Sequence, residues 1–351
     1  MHTYRIRLKL QSGLGTPLAA DTLWGHVAWG IRWRSGNRAL EDWLARYDAD
    51  DPPLTLSDPL PHGYFPRPMV PQAPRSAVPP TKDQADRQKL LDKRKWISHE
   101  AWQTLAEAVS AQRLEEAFAR TPLPLLPAEV AVTRAGINRL TGGTAQAEGG
   151  VLFTGQQTYY DFREPPQFDL WCLSPEPLDA VRQWLEDALV GGYGRDAAAG
   201  LGNVVVAGAE DAQLPSVPAA NACMILGPAV PRPGDPQRGF FSIGIRCGRL
   251  GGDFAVGGLP DGAVDRQKRP VRCLLAGSLL LPPAGVPPLI GRVLRGAHPR
   301  IEAVRHYGIA PALPCRLVPD LLEHRLVAGR IGFQPVAGRQ RVAENSGVSA
   351  P

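Results

Sequence analysis

Residues 178–207 read LDAVRQWLEDALVGGYGRDAAAGLGNVVVA. Leu178, Val181, Trp184, Leu185 and Leu189 recur at helical spacing, so a helix is predicted over 178–190, entered through Ser174-Pro175. The β-branched run that follows predicts a strand over 203–207. Between them stand Gly191, Gly192, Gly194, Gly200 and Gly202, with Arg195 in their midst. Gly192, Gly194 and Ala197 match the letters of the dinucleotide fingerprint G-x-G-x-x-G/A, but that fingerprint needs a strand before it and a helix after it. Here the order is reversed, and a Rossmann site is excluded. No G-x-x-x-x-G-K-S/T occurs either, which excludes a P-loop. A helix C-cap needs one glycine, and this loop has five. Such a loop lets backbone N–H groups and a guanidinium approach a phosphate closely. Anion or RNA binding is one reading; a capped, flexible turn is the other.

Working outward, residues 168–173 (FDLWCL) predict a core strand just before that helix. Near the N-terminus, residues 4–10 (YRIRLKL) alternate Ile6, Leu8 and Leu10 against Arg5, Arg7 and Lys9, the period of a strand with one wet face. A loop, SGLGTPLAAD, leads into a helix with Leu23, Trp24, Val27, Ala28 and Ile31 on one stripe, capped by Asp21 or by Thr16-Pro17. Residues 54–60 (LTLSDPL) predict a short second strand. An insertion over about 61–165 then interrupts the pattern. In it, 61–80 is Pro-dense and 81–95 highly charged, both read as exposed. A helix capped by Ser98 is expected over 99–119, and a long hairpin over 134–164. Without the insertion the order is strand, helix, strand, strand, helix, strand: an α+β, ferredoxin-like order that RNA-recognition folds also use. A polar stretch at 208–219 marks a boundary between a first domain, 1–212, and a strand-rich second domain, 220–318. The strands expected there lie in ACMIL, FFSIGIRC, VRCLLAGSLLL and IEAVRHYGI, and 319–351 reads as a flexible tail.

Composition narrows the function classes. The 351 residues carry a net charge of +5, and of the 39 basic residues only six are Lys. Arg is the planar cation that suits phosphates and bases, although a GC-rich genome produces the same bias. Two basic clusters stand out. Acids intersperse the one at 83–95; Arg266, Lys268, Arg269 and Arg272 have none after Asp265. The five cysteines are odd in number and form no C-x-x-C pair, which points to a reducing cytoplasm and no disulfide framework. The longest apolar run, 273–281, is far shorter than the ~20 residues that span a bilayer, so no membrane partner is expected. The seven His lack metal-ligand spacing, and the carboxylates show no catalytic pairing. No metal and no cofactor are expected. His26 is the one candidate general acid–base, and its place beside an apolar stripe makes a packed histidine the commoner outcome.

Taken together, several stretches carry a family resemblance. They are TPLAADTLWGHVAW (16–29), LTLSDPLPHGYFPRPMVP (54–71), KRKWISHEAWQTL (93–105), NRLTGGTAQAEGGVLF (138–153), GGYGRDAAAGLGNV (191–204), KRPVRCLLAGSLL (268–280) and RHYGIAPALP (305–314). In this order they resemble the RAMP superfamily of CRISPR proteins, and within it the subunit that caps the crRNA 5′ handle in type III-A effector complexes. The resemblance implies tandem ferredoxin-like, RNA-recognition-motif-like domains with a Gly-rich loop and an inserted thumb hairpin. It implies a non-catalytic, cytoplasmic RNA-binding subunit for antiviral defence. Its partners would be the crRNA 5′ handle, target RNA near the handle–guide junction, the large polymerase-type subunit and the backbone RAMP subunits. The RNA contacts it implies are Gly191, Gly192, Tyr193, Gly194, Arg195, Gly200, Leu201, Gly202 and Asn203 in the loop, with Thr16, Asp21 and Trp24 at the first helix. Ile137, Asn138, Arg139, Leu140 and Thr141 on the hairpin, and Arg266, Lys268 and Arg269, complete the set. A rival reading from the same superfamily is a metal-independent crRNA-processing endoribonuclease, and a third is a structural subunit that touches protein alone.

Overall fold

The computed structural model describes residues 1–71, 81–136, 152–256 and 266–323. The first half begins with β1 (His2–Leu10), α1 (Ala20–Asp48), and the short β2 (Thr55–Leu56) and β3 (Leu60–Pro61). The insertion holds β4 (Tyr64–Pro66), α2 (Lys82–Asp92), β5 (Trp96–Ser98), α3 (His99–Ala106), α4 (Ala111–Arg120), β6 (Ala128–Ala135) and β7 (Leu152–Tyr159). It is followed by β8 (Gln167–Ser174), α5 (Leu178–Leu189) and β9 (Val204–Asp211). One antiparallel sheet runs β2-β8-β1-β9, with β3 also on β8. The alternation in β1 is the cause: Tyr4, Ile6, Leu8 and Leu10 are buried, while Arg5, Arg7 and Lys9 are half-exposed. The buried set joins Leu23, Val27, Val181 and Leu185 of the two helices in one apolar cluster.

Several local expectations change. The cap of α1 is Ala19, and neither Asp21 nor Thr16 caps it; the Ala20 amide instead donates to Asp58 Oδ1 at 2.8 Å. Asp58 is free for this because it stands in the break between β2 and β3, where one strand was expected. α1 also breaks at Gly36, whose φ of +87° is left-handed. Beyond it the chain folds back, so that Trp43 and Tyr47 meet the Trp24 ring at 5.4 and 5.6 Å. The helix expected over 99–119 is two, because residues 316–318 pass between its halves. Arg316 N donates to Ala106 O, and Val109 N to Arg316 O at 2.7 Å. Residues 61–71 are not simply exposed: Phe65 is fully buried beside Trp102 and Trp171. Residues 72–80 lie outside the described residues.

The second half supplies β10 (Ala222–Ile225), β11 (Gly239–Phe240), β12 (Ile243–Arg246), α6 (Asp253–Val256), β13 (Val271–Leu274), β14 (Leu279–Leu280), β15 (Leu289–Gly291), β16 (Ile309–Cys315) and α7 (Pro319–Glu323). A second antiparallel sheet runs β11-β14-β10-β16-β15, and β12 pairs β13 as a separate ribbon. The chain is therefore α+β with several antiparallel sheets. Among the described residues of this half, the one helix between β10 and β16 has four residues. IEAVRHYGI is not a strand throughout, since β16 begins only at Ile309 and Tyr307 turns inward to accept a hydrogen bond from Leu56 N at 2.6 Å. Residues 319–323 form α7 with Leu321 buried, so the tail does not begin at 319; residues 324–351 lie outside the described residues. Met224, Leu279 and Leu313 of the second sheet share an apolar cluster with Phe65, Trp102 and Trp171. The two halves are thus joined by a common core.

Candidate nucleic-acid interface

The glycine loop leaves the end of α5 and returns to β9 through a single 3₁₀ turn at Ala197–Ala199. Gly192, Gly194, Gly200 and Gly202 all have positive φ (+79°, +74°, +86° and +68°), and so does Asp196 at +63°. Four glycines are explained by this backbone path. Most of the loop's amides, however, are already committed. Tyr193 N donates to Gly202 O at 2.8 Å, Gly202 N to Gly13 O at 2.7 Å, and Asn203 N to Ser12 Oγ at 2.9 Å. Gly194 N donates to His26 Nε2 at 3.1 Å and Arg195 N to Thr16 Oγ1 at 3.0 Å. Gly192, Gly200 and Leu201 donate to Leu189, Ala197 and Asp196 carbonyls. The expectation that these amides cradle phosphates is corrected: they knit the loop to the SGLG turn at 12–15 and to α1. What the loop presents outward is Gly191, Arg195 and the turn Ala198–Gly200.

The remaining loop residues divide by burial. Tyr193 is fully buried; its hydroxyl donates to Pro17 O and accepts from Ala19 N, both at 2.9 Å. Burial pushes that hydroxyl's pKa up. Leu201 is buried as well, while Asn203 is exposed. The His26 ring lies tilted against the Tyr193 ring at 5.4 Å, and burial lowers its pKa, so its neutral Nε2 serves as acceptor for the loop. Trp24 is corrected from an RNA contact to a core residue. It is 3% exposed, its Nε1 donates to Tyr47 Oη at 2.8 Å, and its ring lies 5.4 Å from Tyr307.

The hairpin is rooted against this loop. β6 and β7 pair over eight residues, from Ala128↔Tyr159 to Ala135↔Leu152. Its arms begin at Ala128, earlier than the expected 134. Leu14 and Thr158 exchange backbone hydrogen bonds, tying β7 to the turn after β1. Arg195 donates to Gln156 O at 2.7 Å, and Arg134 bridges Asp196 at 3.1 Å. Both cations therefore span ribbon and loop. Ile137, Asn138, Arg139, Leu140 and Thr141 lie outside the described residues.

The basic segment approaches from the second half. Asp21 pairs with Arg246 at 3.4 Å, and its charge acts on Lys268 and His306. Lys268 Nζ donates to Arg305 O at 3.0 Å, and burial lowers its pKa. Burial and the neighbouring Lys268 lower His306 to about 4, while burial raises Asp58 to about 6. Arg266 and Arg269 hold this segment through backbone bonds to Leu250 and Ala297. The fold thus brings Asp21 and Lys268 into one charged seam beside the start of α1, with Arg246 and His306 as members that the motif reading missed. The other missed signal is the pair Gly13 and Gly15. A Cβ at Gly15 falls on the Arg195 carbonyl, and one at Gly13 lies 2.6 Å from the Tyr159 ring. Glycines in two loops far apart in sequence signalled one close contact.

No protein-family model matches the chain, and no curated protein does. Solved structures do. The fold is similar to that of a subunit solved in CRISPR-Cas assemblies, among them a type III-A interference complex. The similarity is to Csm4, the component shared by two kinds of solved assembly. The Csm1–Csm4 cassette in complex with cA4 matches at 17% identity and TM-score 0.53, and with pppApA at 16% and 0.53. The Csm3–Csm4 subcomplex of the type III-A CRISPR-Cas interference complex matches at 15% and 0.51. Each match covers 90% of this chain and 99% of the solved one. Among the described residues no three His, Cys, Asp or Glu side chains could hold a metal, and no helix is long and apolar enough to cross a membrane.

Proposed function

We propose that this chain is the non-catalytic RNA-binding subunit of a type III CRISPR effector ribonucleoprotein, acting in the cytoplasm in antiviral defence. In this reading it caps the crRNA 5′ handle and bridges the large polymerase-type subunit to the backbone RAMP subunits. The observation that carries the reading is the match of nearly the whole of Csm4 to nearly the whole of this chain. The sheet order β2-β8-β1-β9 with two helices supports a first ferredoxin-like domain over 1–212, with its insertion at 61–165. The second domain, 220–318, is the strand-rich member of the tandem. The handle would run past Arg195, Arg134 and the exposed loop turn, with Arg266 and Arg269 continuing the path. The hairpin beyond β6 would meet target RNA near the handle–guide junction.

The direct test is incubation of the purified full chain with repeat RNA in EDTA. Binding without cleavage is expected. Metal-independent processing that vanishes in His26→Ala would establish the ribonuclease reading instead, and absence of any RNA binding would leave a protein-only subunit.

A further inference from the structure

The bend in α1 is the part of the fold that neither the core nor the glycine loop explains. From Trp33 through Arg38 every residue is exposed, and the Trp33 side chain is 62% open to solvent. The segment 29–40, WGIRWRSGNRAL, carries three Arg and two Trp and no acid. Trp29 and Trp33 rings lie 5.7 Å apart, and Phe254 meets Trp29 edge-on at 5.6 Å, itself 41% exposed. Arg32 stacks over Trp29 at 5.0 Å and bridges Asp253. Arg34 bridges Asp187 through one nitrogen and remains 59% exposed, while Arg38 forms no ion pair among the described residues.

Apart from its contact with Trp29, the Trp33 ring is left open to solvent. Exposed ion pairs such as Arg34–Asp187 hold little energy, so a guanidinium there exchanges readily onto a phosphate. Indole faces stack on unpaired bases of any sequence, and neighbouring arginines supply the backbone contacts. The same helix also holds the glycine loop. His26, which accepts from Gly194, lies seven residues before Trp33, about 10 Å along the axis and close to the same helical face. A single strand that left the loop along this face of the helix would reach the bend.

We propose that the α1 bend is a second RNA subsite, in which an unpaired base stacks on Trp33 while Arg34 and Arg38 take adjacent phosphates. The proposal rests on the reading of the chain as an RNA-binding subunit and adds to it where the strand goes after the loop.

The test measures binding of fluorescently labelled oligo(A) and oligo(U) to the full chain across a salt series. The proteins are wild type, Trp33→Ala, Trp33→Phe, Arg38→Gln and Gly202→Ala. Trp33→Ala should weaken oligo(A) binding roughly 5- to 30-fold, the share of one stacked base, and oligo(U) less. Trp33→Phe should stay within about threefold, since it keeps a stacking face. Arg38→Gln should lower the slope of log Kd against log salt by about 0.7, one single-strand phosphate contact. Trp33 is exposed, so its variants are expected to keep the wild-type melting temperature, which is checked first. If Trp33→Ala binds both RNAs like wild type while Gly202→Ala does not, the subsite is wrong and the loop reading stands. A Trp33→Ala chain that keeps its RNA affinity and loses a co-purifying protein makes the bend a protein-docking site and equally overturns the proposal. No RNA binding by wild type overturns both readings.

Discussion

Gly200 and Gly202 stand two residues apart with similar φ, +86° and +68°, and should respond very differently to the same methyl group. Alanine at either position carries the left-handed penalty of roughly 1–2 kcal/mol. At Gly200 nothing lies within 4 Å of the new Cβ, so the penalty ends there. At Gly202 the Cβ falls on the Tyr193 carbonyl, with the carbonyl carbon at 2.9 Å and the amide nitrogen at 3.1 Å, all backbone. Relief requires the loop to part from its partner. That breaks the Tyr193 N–Gly202 O and Gly202 N–Gly13 O hydrogen bonds and strands buried amides, at about 1 kcal/mol or more for each. Gly202→Ala should therefore cost about 3–5 kcal/mol and Gly200→Ala about 1–2. Urea denaturation of both variants, with m checked against wild type, reads the difference. RNA affinity should follow, lost in Gly202→Ala and retained in Gly200→Ala. Equal destabilisation by the two substitutions would refute the claim that this loop is held by its contact with residues 13 and 193.

Three further outcomes follow from the same geometry. His26→Ala should cost about 1–3 kcal/mol by leaving the Gly194 amide without its acceptor, while His26→Gln should retain most of the stability. In wild type, burial lowers His26, so the neutral form belongs to the fold and its contribution is lost as pH falls below 6.5. Hydrogen exchange at the Gly194 amide reads this in wild type, and His26→Gln should remove the pH dependence. In the charged seam two groups oppose each other between pH 4 and 6. His306, lowered to about 4, adds stability as pH rises, and Asp58, raised to about 6, removes it, each by about 3 kcal/mol. His306→Gln should therefore lose stability from pH 4 to 6 and Asp58→Asn should gain it, as read by melting temperature; a flat profile in both would contradict the assignment. Arg195→Ala should cost under about 1 kcal/mol, because its guanidinium is half-exposed, and should lower the RNA salt slope by about 0.7.

The central sheet was legible because its signals are local. The alternation in YRIRLKL and the helical spacing of 178–189 place β1 and α5 without any long-range information. What escaped depends on distant partners. The break between α3 and α4 is made by residues 316–318, roughly two hundred positions downstream, and no spacing within 99–119 announces it. Trp24 and Tyr193 were expected as RNA contacts because the family resemblance places them there. Only the fold shows that Tyr47, Tyr307 and Pro17 already occupy their polar and ring partners. The same holds for the loop amides, taken up by Gly13, Ser12, Thr16 and His26 from the other end of the first domain. Glycine content announced tight backbone packing but not what the backbone packs on.

The measurement that bears most directly on the proposed function is recovery of the tagged full chain from its native cells, with sequencing of the 5′ ends of whatever RNA comes with it. Type III effector subunits should co-purify, and the RNA should begin with one uniform, repeat-derived tag that becomes ragged when Gly202→Ala replaces wild type. Recovery of the same protein partners with no RNA, or with RNA of unrelated 5′ ends, would contradict handle capping.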